Sequence, residues 1–239
     1  MMDIAKCTVI SREDIENLHL SIPFIQKAIQ GDKPRLFSLA DQVTVRYPDR
    51  KWDTIISDAS RGILVGNFLT RVLLNSGFDL HNQEPTHLQI ANSRHAAKNR
   101  ATRKVHGASV KAYLLEHGVQ NALVVTDTVD SGKSIQRLGG NIRGAGIRLD
   151  CAVLVSSHSQ NSLRRKIHLA KYSELYATTP TNWLALTAGA ELYQGIGVET
   201  VVGMAEPQPA QYAWPLVGLA AIQAYDTLAD EYVLKAQSS

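Results

Sequence analysis

The stretch ALVVTDTVDSGKS, Ala122 to Ser134, reads as a buried strand that runs into a turn and then a helix. Ala122 to Val125 are continuously apolar, as expected of a strand covered on both faces in a parallel sheet. Asp127 and Asp130 then emerge at its carboxyl edge, and Ser131, Gly132, Lys133 and Ser134 fall where a helix begins. A helix N-terminus offers N–H groups without intrahelical partners and a partial positive charge, both suited to a phosphate. Gly132 lets the backbone approach the anion, and the hydroxyls of Ser131 and Ser134 donate to its oxygens. The two aspartates would repel a phosphate beside them, so they face ribose hydroxyls, a metal-bound substrate or a proton to be moved. GKS also closes the Walker A loop, but that loop needs glycine at position 127, where Asp stands.

Outward from this turn the chain alternates short apolar runs with helical spacing. WDTIISDAS (52–60) reads as a first strand, with a helix over Ile63 to Asn75 that puts Leu64, Phe68, Leu69, Val72 and Leu73 on one side and ends at Gly77. THLQIANS (86–93) reads as a second strand, 94–106 as a basic loop, and Ala108 to His117 as a helix ended by Gly118. Beyond the central strand follow a helix over Lys133 to Arg143, the strand IRLDCAVLVSS (147–157), a helix over Ser162 to Lys171 and a fifth strand in SELYATT (173–179). Parallel neighbours need a connection about as long as these helices. The fold class expected is therefore α/β, an open, twisted, mostly parallel five-stranded sheet flanked by helices. Residues 1–34, ending in the breaker-rich QGDKP, read as an N-terminal appendage, 35–180 as the core and 181–239 as a C-terminal hood or helical extension. Within that extension 215–235 look like an amphipathic helix that either covers the core or forms a dimer contact.

The segment ALVVTDTVDSGKS resembles the phosphoribosyl-diphosphate (PRPP) motif of type I phosphoribosyltransferases: an apolar run, acidic residues, then a D/T-S/T-G-x-T/S turn. The form with Asp130 and GKS is most similar to the 6-oxopurine (hypoxanthine, guanine, xanthine) branch. The resemblance implies a 5′-phosphate site at Asp130, Ser131, Gly132, Lys133 and Ser134, ribose contacts at Thr126 and Asp127, and Asp130 as the catalytic proton acceptor. IISDASRGILVG resembles the family's short pyrophosphate loop, which would make Ser60, Arg61 and Gly62 diphosphate contacts. The basic stretch from Arg94 to Lys111 matches the place of the family's mobile loop, with Arg103 and Lys104 toward the diphosphate and Lys104 counted as catalytic. Mg²⁺ is the implied cofactor, with Asp127 an indirect ligand. Two positions depart from the family form: Thr126 stands where the first acidic residue belongs, and Ile63 where a second glycine does.

These matches imply transfer of the phosphoribosyl group of PRPP to a nitrogenous base with release of diphosphate. A PRPP- or nucleotide-sensing protein without turnover, and a hydrolase of nucleotide N-glycosidic bonds, are the alternatives on the same site. His158, Trp183, Tyr212 and Trp214 fall near where a base pocket would form, although packing is the commoner use of such aromatics.

Composition bounds the reading. The chain has 239 residues, 44% hydrophobic and 20% charged, enough to bury one sizeable core. Its 25 Lys and Arg against 22 Asp and Glu leave +3, so no global charge demands a nucleic acid or membrane partner. No aromatic residue interleaves the basic stretch between Phe78 and Tyr113, which argues against stacking on single-stranded bases. Cys7 and Cys151 are distant and lack metal-ligand spacing, and the N-terminus lacks the pattern of a signal peptide. A cytoplasmic homodimer acting on small molecules is expected.

Overall fold

A computed structural model describes residues 12–46, 52–76, 86–90, 108, 110–129, 132–142, 144–156, 159–169, 172–178, 198–199, 211–212 and 215–238. Five strands, β1 (Thr54–Asp58), β2 (Thr86–Ile90), β3 (Asn121–Val129), β4 (Arg148–Ser156) and β5 (Glu174–Ala177), form one sheet in the order β2-β1-β3-β4-β5. Every neighbouring pair is parallel. The helices are α1 (Arg12–Arg46), α2 (Ala59–Asn75), α3 (110–116), α4 (Lys133–Ile142), α5 (Gln160–Leu169) and α6 (Pro215–Gln237).

The period of two along each strand divides the core into two layers. Ile55, Leu123, Val125, Ala152, Leu154 and Tyr176 face a cluster built with α1, α2 and α6. Ile56, Ala122, Val124, Cys151, Val153 and Ala177 face the other way, onto residues of α3, α4 and α5. With both faces covered, the strands read as apolar runs, which is why they were legible in the sequence. Gly118 ends α3 as expected. It adopts φ 65°, its N–H reaches the Leu115 carbonyl at 3.1 Å, and the Val119 N–H reaches that of Leu114 at 2.9 Å, the pairing of a Schellman cap.

The boundary expected at 34/35 does not mark a break, because α1 is one helix of 35 residues that contains both Pro23 and Pro34. The reason is a stripe that spans the breakers. Ile15, Leu18, Ile22, Ile25, Ile29, Leu36, Leu39 and Val43 recur at alternating spacings of three and four, with Asp32 in the remaining place. From Ile25 onward this stripe enters the core, and Leu36, Leu39 and Val43 are fully buried. Both prolines are exposed. A proline inside a helix costs about 3 kcal/mol, whereas burying each of these aliphatic side chains contributes about 1.5–3 kcal/mol, so packing wins over the breakers.

The C-terminal helix α6 covers the core. Ala221, Tyr225, Leu228, Ala229, Tyr232 and Val233 join the cluster with α1 and α2. Polar pairs fix its register: the Tyr225 hydroxyl donates to Asp32 at 2.6 Å, that of Tyr232 to Asp41 at 2.9 Å, and Arg71 of α2 holds Asp230 through two bonds of 2.7 Å. At the β5 edge, Gln42 of α1 imitates a further strand. Its amide donates to the Ala177 carbonyl at 3.1 Å and its carbonyl accepts the Ala177 N–H at 3.2 Å. A separate antiparallel pair, β6 (Val198–Glu199) with β7 (Gln211–Tyr212), was not expected from the sequence. Among the described residues no helix is long and apolar enough to cross a membrane.

Candidate functional site

The chain leaves β1 for β2 on one side of the sheet and returns to β3 on the other, so the order reverses between β1 and β3. In open parallel sheets ligands bind beyond the carboxyl ends of the strands at such a switch point. Both sequence motifs lie here: β3 is followed by α4, and β1 leads into α2.

β3 runs further than its apolar core indicated. It continues through Thr126 and Asp127 to Val129, with Thr126, Thr128 and Val129 in register with Val153, Val155 and Ser156 of β4. Asp127 is therefore inside the strand and only 5% exposed, not free at the edge. The Thr128 hydroxyl donates to its Oδ2 at 3.0 Å. Thr126 is buried too, its hydroxyl donating to the Thr128 carbonyl at 3.3 Å. Pairing with β1 stops at Val125, so the last part of β3 is matched by β4 while α2 begins on its other side.

Ser60, Arg61 and Gly62 do not form the expected loop. β1 ends at Asp58 and α2 starts at Ala59, which places all three in the first turn of a helix. Gly62 makes this direct start possible. A Cβ there would lie 2.7 Å from the Val125 carbonyl oxygen and 3.6 Å from Thr126 Cα, so only glycine lets the helix sit on the end of β3. The two motifs are thus adjacent, though the upstream one is helical.

Gly132 takes φ 74°, and its carbonyl accepts the first helical bond of α4 from the Gln136 N–H at 3.0 Å. It caps the helix in a conformation other residues rarely adopt. Lys133 opens α4 and is exposed, while Ser134 follows in the same turn. A cation at a helix N-terminus opposes the macrodipole, which an anion bound there would relieve. None of the first turns of α2, α4 and α5 contains an acidic residue. Asp130, Ser131, Arg103, Lys104, His158, Trp183 and Trp214 lie outside the described residues.

Three neighbours were missed by sequence reasoning. Ser57 on β1, Ser156 on β4 and Thr178 just past β5 are buried with Thr126 and Asp127 toward the carboxyl ends of four strands. Ser156 donates to the Val129 carbonyl at 3.4 Å and Thr178 to that of Leu154 at 2.5 Å. A single Ser or Thr closing a strand carries no signal in one sequence; only the sheet aligns them. The stem of Lys166 on α5 also passes the turn, its Cδ 3.6 Å from where a Gly132 Cβ would stand.

Fold and site together define a doubly wound α/β protein with a polar carboxyl edge and helix N-termini gathered at its switch point. The chain matches no family model, no curated protein and no solved structure.

Proposed function

We propose that this protein binds PRPP at the β1/β3 switch point and transfers its phosphoribosyl group to a nitrogenous base, releasing diphosphate. The observation that carries the reading is the turn at Gly132, whose left-handed conformation caps α4 beside Lys133 at the end of the strand bearing Asp127. In this reading the α4 N-terminus, with Ser131, Lys133 and Ser134, holds the 5′-phosphate, and Asp127 faces the ribose. In the same reading the first turn of α2, with Ser60 and Arg61, takes the diphosphate, Arg61 adding charge-assisted hydrogen bonds. Arg103 and Lys104 belong to the lid, Lys104 acting on the leaving group, and Asp130 accepts the proton of the incoming base.

Mg²⁺ would supply charge neutralisation on the diphosphate. Such ions take few protein carboxylates and rely on substrate oxygens, so Asp127, buried and hydrogen-bonded by the Thr128 hydroxyl, fits an outer role. The rest is positioning: two fixed helix ends set the distance between phosphate and diphosphate, leaving ribose C1 open to the base.

The second reading, a PRPP or nucleotide sensor, is favoured by two observations. Thr126 replaces an expected carboxylate and is already engaged with the Thr128 carbonyl, and Ser60 to Gly62 are helical where a pliable loop was expected. Measuring diphosphate release from PRPP with Mg²⁺ and a panel of bases, beside calorimetric binding, separates the two. Transfer is expected with at least one base. Binding without release for any base assigns the sensor, base-independent ribose 5-phosphate formation assigns a hydrolase, and no binding rejects the PRPP site. In the transferase, Asp130→Asn is expected to abolish transfer while PRPP affinity stays within about tenfold.

A further inference from the structure

Asp32 interrupts the apolar stripe of α1 at the point where α1 meets α6. It is 8% exposed, and its Oδ2 accepts the hydroxyl of the fully buried Tyr225 at 2.6 Å. The cation facing it is Arg35 on its own helix, with Nη1 3.8 Å from Oδ1, beyond good hydrogen-bond reach. The other charges described along this seam point elsewhere. Lys33 is bound to Glu231 at 2.5 Å, Arg71 of α2 to Asp230 and, at 3.8 Å, to Asp226, and Asp41 accepts from Tyr232. A carboxylate in a helix seam with one hydroxyl and one distant cation carries a large desolvation cost, and a neutral carboxyl does not.

We propose that Asp32 is an acid-tightened latch, holding the C-terminal helix most firmly on α1 when protonated and loosening it as the carboxyl ionises. Burial pushes this carboxyl above the usual carboxylate range, against the opposing pulls of the Tyr225 hydrogen bond and Arg35. With the folded value raised, the native state keeps a proton that the unfolded chain has released. The stabilisation is therefore complete below the usual range and is lost as pH rises through the raised value. The effect reaches the candidate site through contacts already described. α6 packs on α2 and is tied to it by Arg71, and the first turn of α2 rests on the end of β3. The latch does not depend on the identity of the ligand.

Asp226 is also raised by burial and Asp230 lowered by Arg71, so the pH profile of the wild type alone would mix three groups. The test compares full-length wild type, Asp32→Asn and Tyr225→Phe from about pH 4 to pH 8, by thermal unfolding and by hydrogen exchange across 215–237 corrected for intrinsic exchange rate. Wild type and Asp32→Asn are expected to melt together at the acid end, with wild type lower by at least about 2 °C at the upper end. Exchange in α6 should accelerate with pH in the wild type only. Tyr225→Phe removes a donor that favours the charged form, so its loss of stability should begin at the same pH but continue to higher pH and become larger. Parallel profiles for wild type and Asp32→Asn overturn the latch. If Asp32→Asn does not fold, the decision falls to Tyr225→Phe, and an unshifted profile there overturns it.

Discussion

The glycines at the switch point act by different means, and substitution by alanine separates them. At Gly62 the obstacle is backbone, the Val125 carbonyl 2.7 Å from the new methyl group, so the start of α2 must move. Gly62→Ala is expected to cost about 1–3 kcal/mol in urea unfolding, the range for overpacking, and, in the reading proposed above, to weaken PRPP binding because the first turn of α2 shifts with it. At Gly132 the space is ordinary, with nothing nearer than 3.6 Å, and the obstacle is φ 74°. Gly132→Ala is expected to cost about 1–2 kcal/mol, the strain of a left-handed alanine. Gly140 lies inside α4 with open space around its α-carbon, so Gly140→Ala should stabilise by about 0.5–1 kcal/mol and leave ligand binding unchanged. Sequence alone marks all three as glycine near a strand or helix. It does not say which meets a carbonyl, because that neighbour is more than sixty residues away.

Among the elements, α6 shows which kind of contact dominates. Its ion pair with Arg71 has good geometry, but both side chains are over 40% exposed, and such pairs contribute about 0–1 kcal/mol. Leu228 on the same helix is 5% exposed in the core cluster, where truncation to alanine typically costs about 2–5 kcal/mol. Denaturant unfolding of Leu228→Ala against Arg71→Ala should therefore show the apolar change to be the larger, and added salt should narrow only the effect of Arg71→Ala. The strands and most helices were legible because two covered faces leave apolar runs and because a glycine such as Gly118 marks a helix end. α1 was misread where local breaker chemistry at Gly31 to Pro34 outvoted a stripe visible only over the whole segment. The upstream motif was misread because Ser-Arg-Gly suits a loop and a helix start equally, and the deciding contact is with β3.

For the whole molecule, the β1/β3 reversal brings two stretches some seventy residues apart, both singled out in the sequence, to neighbouring strands of the sheet. The buried row of Ser57, Ser156 and Thr178 was not legible there, since it exists only once four strands are aligned. A ligand spanning both helix ends should stabilise the fold as a unit. In the reading proposed above, PRPP at a hundredfold excess over its dissociation constant is expected to add about 2.7 kcal/mol, which raises the melting midpoint by about 5–10 °C. Ribose 5-phosphate and diphosphate given singly should each produce a smaller rise. Equal rises from diphosphate alone would place recognition at one helix end.

The position of α6 also orders events during synthesis. It is the last described helix to leave the ribosome, yet it packs against α1, the first described, and against α2. Until it arrives, α1 and α2 lack their third partner, leaving their apolar surface open at the stage when nascent chains associate wrongly. Closing the fold requires contact between segments far apart in sequence, 193 residues for Asp32 and Tyr225, a high-contact-order step that slows folding. A nascent chain stalled before Pro215 is therefore expected to bind chaperones and resist compaction, even with every strand of the sheet already made.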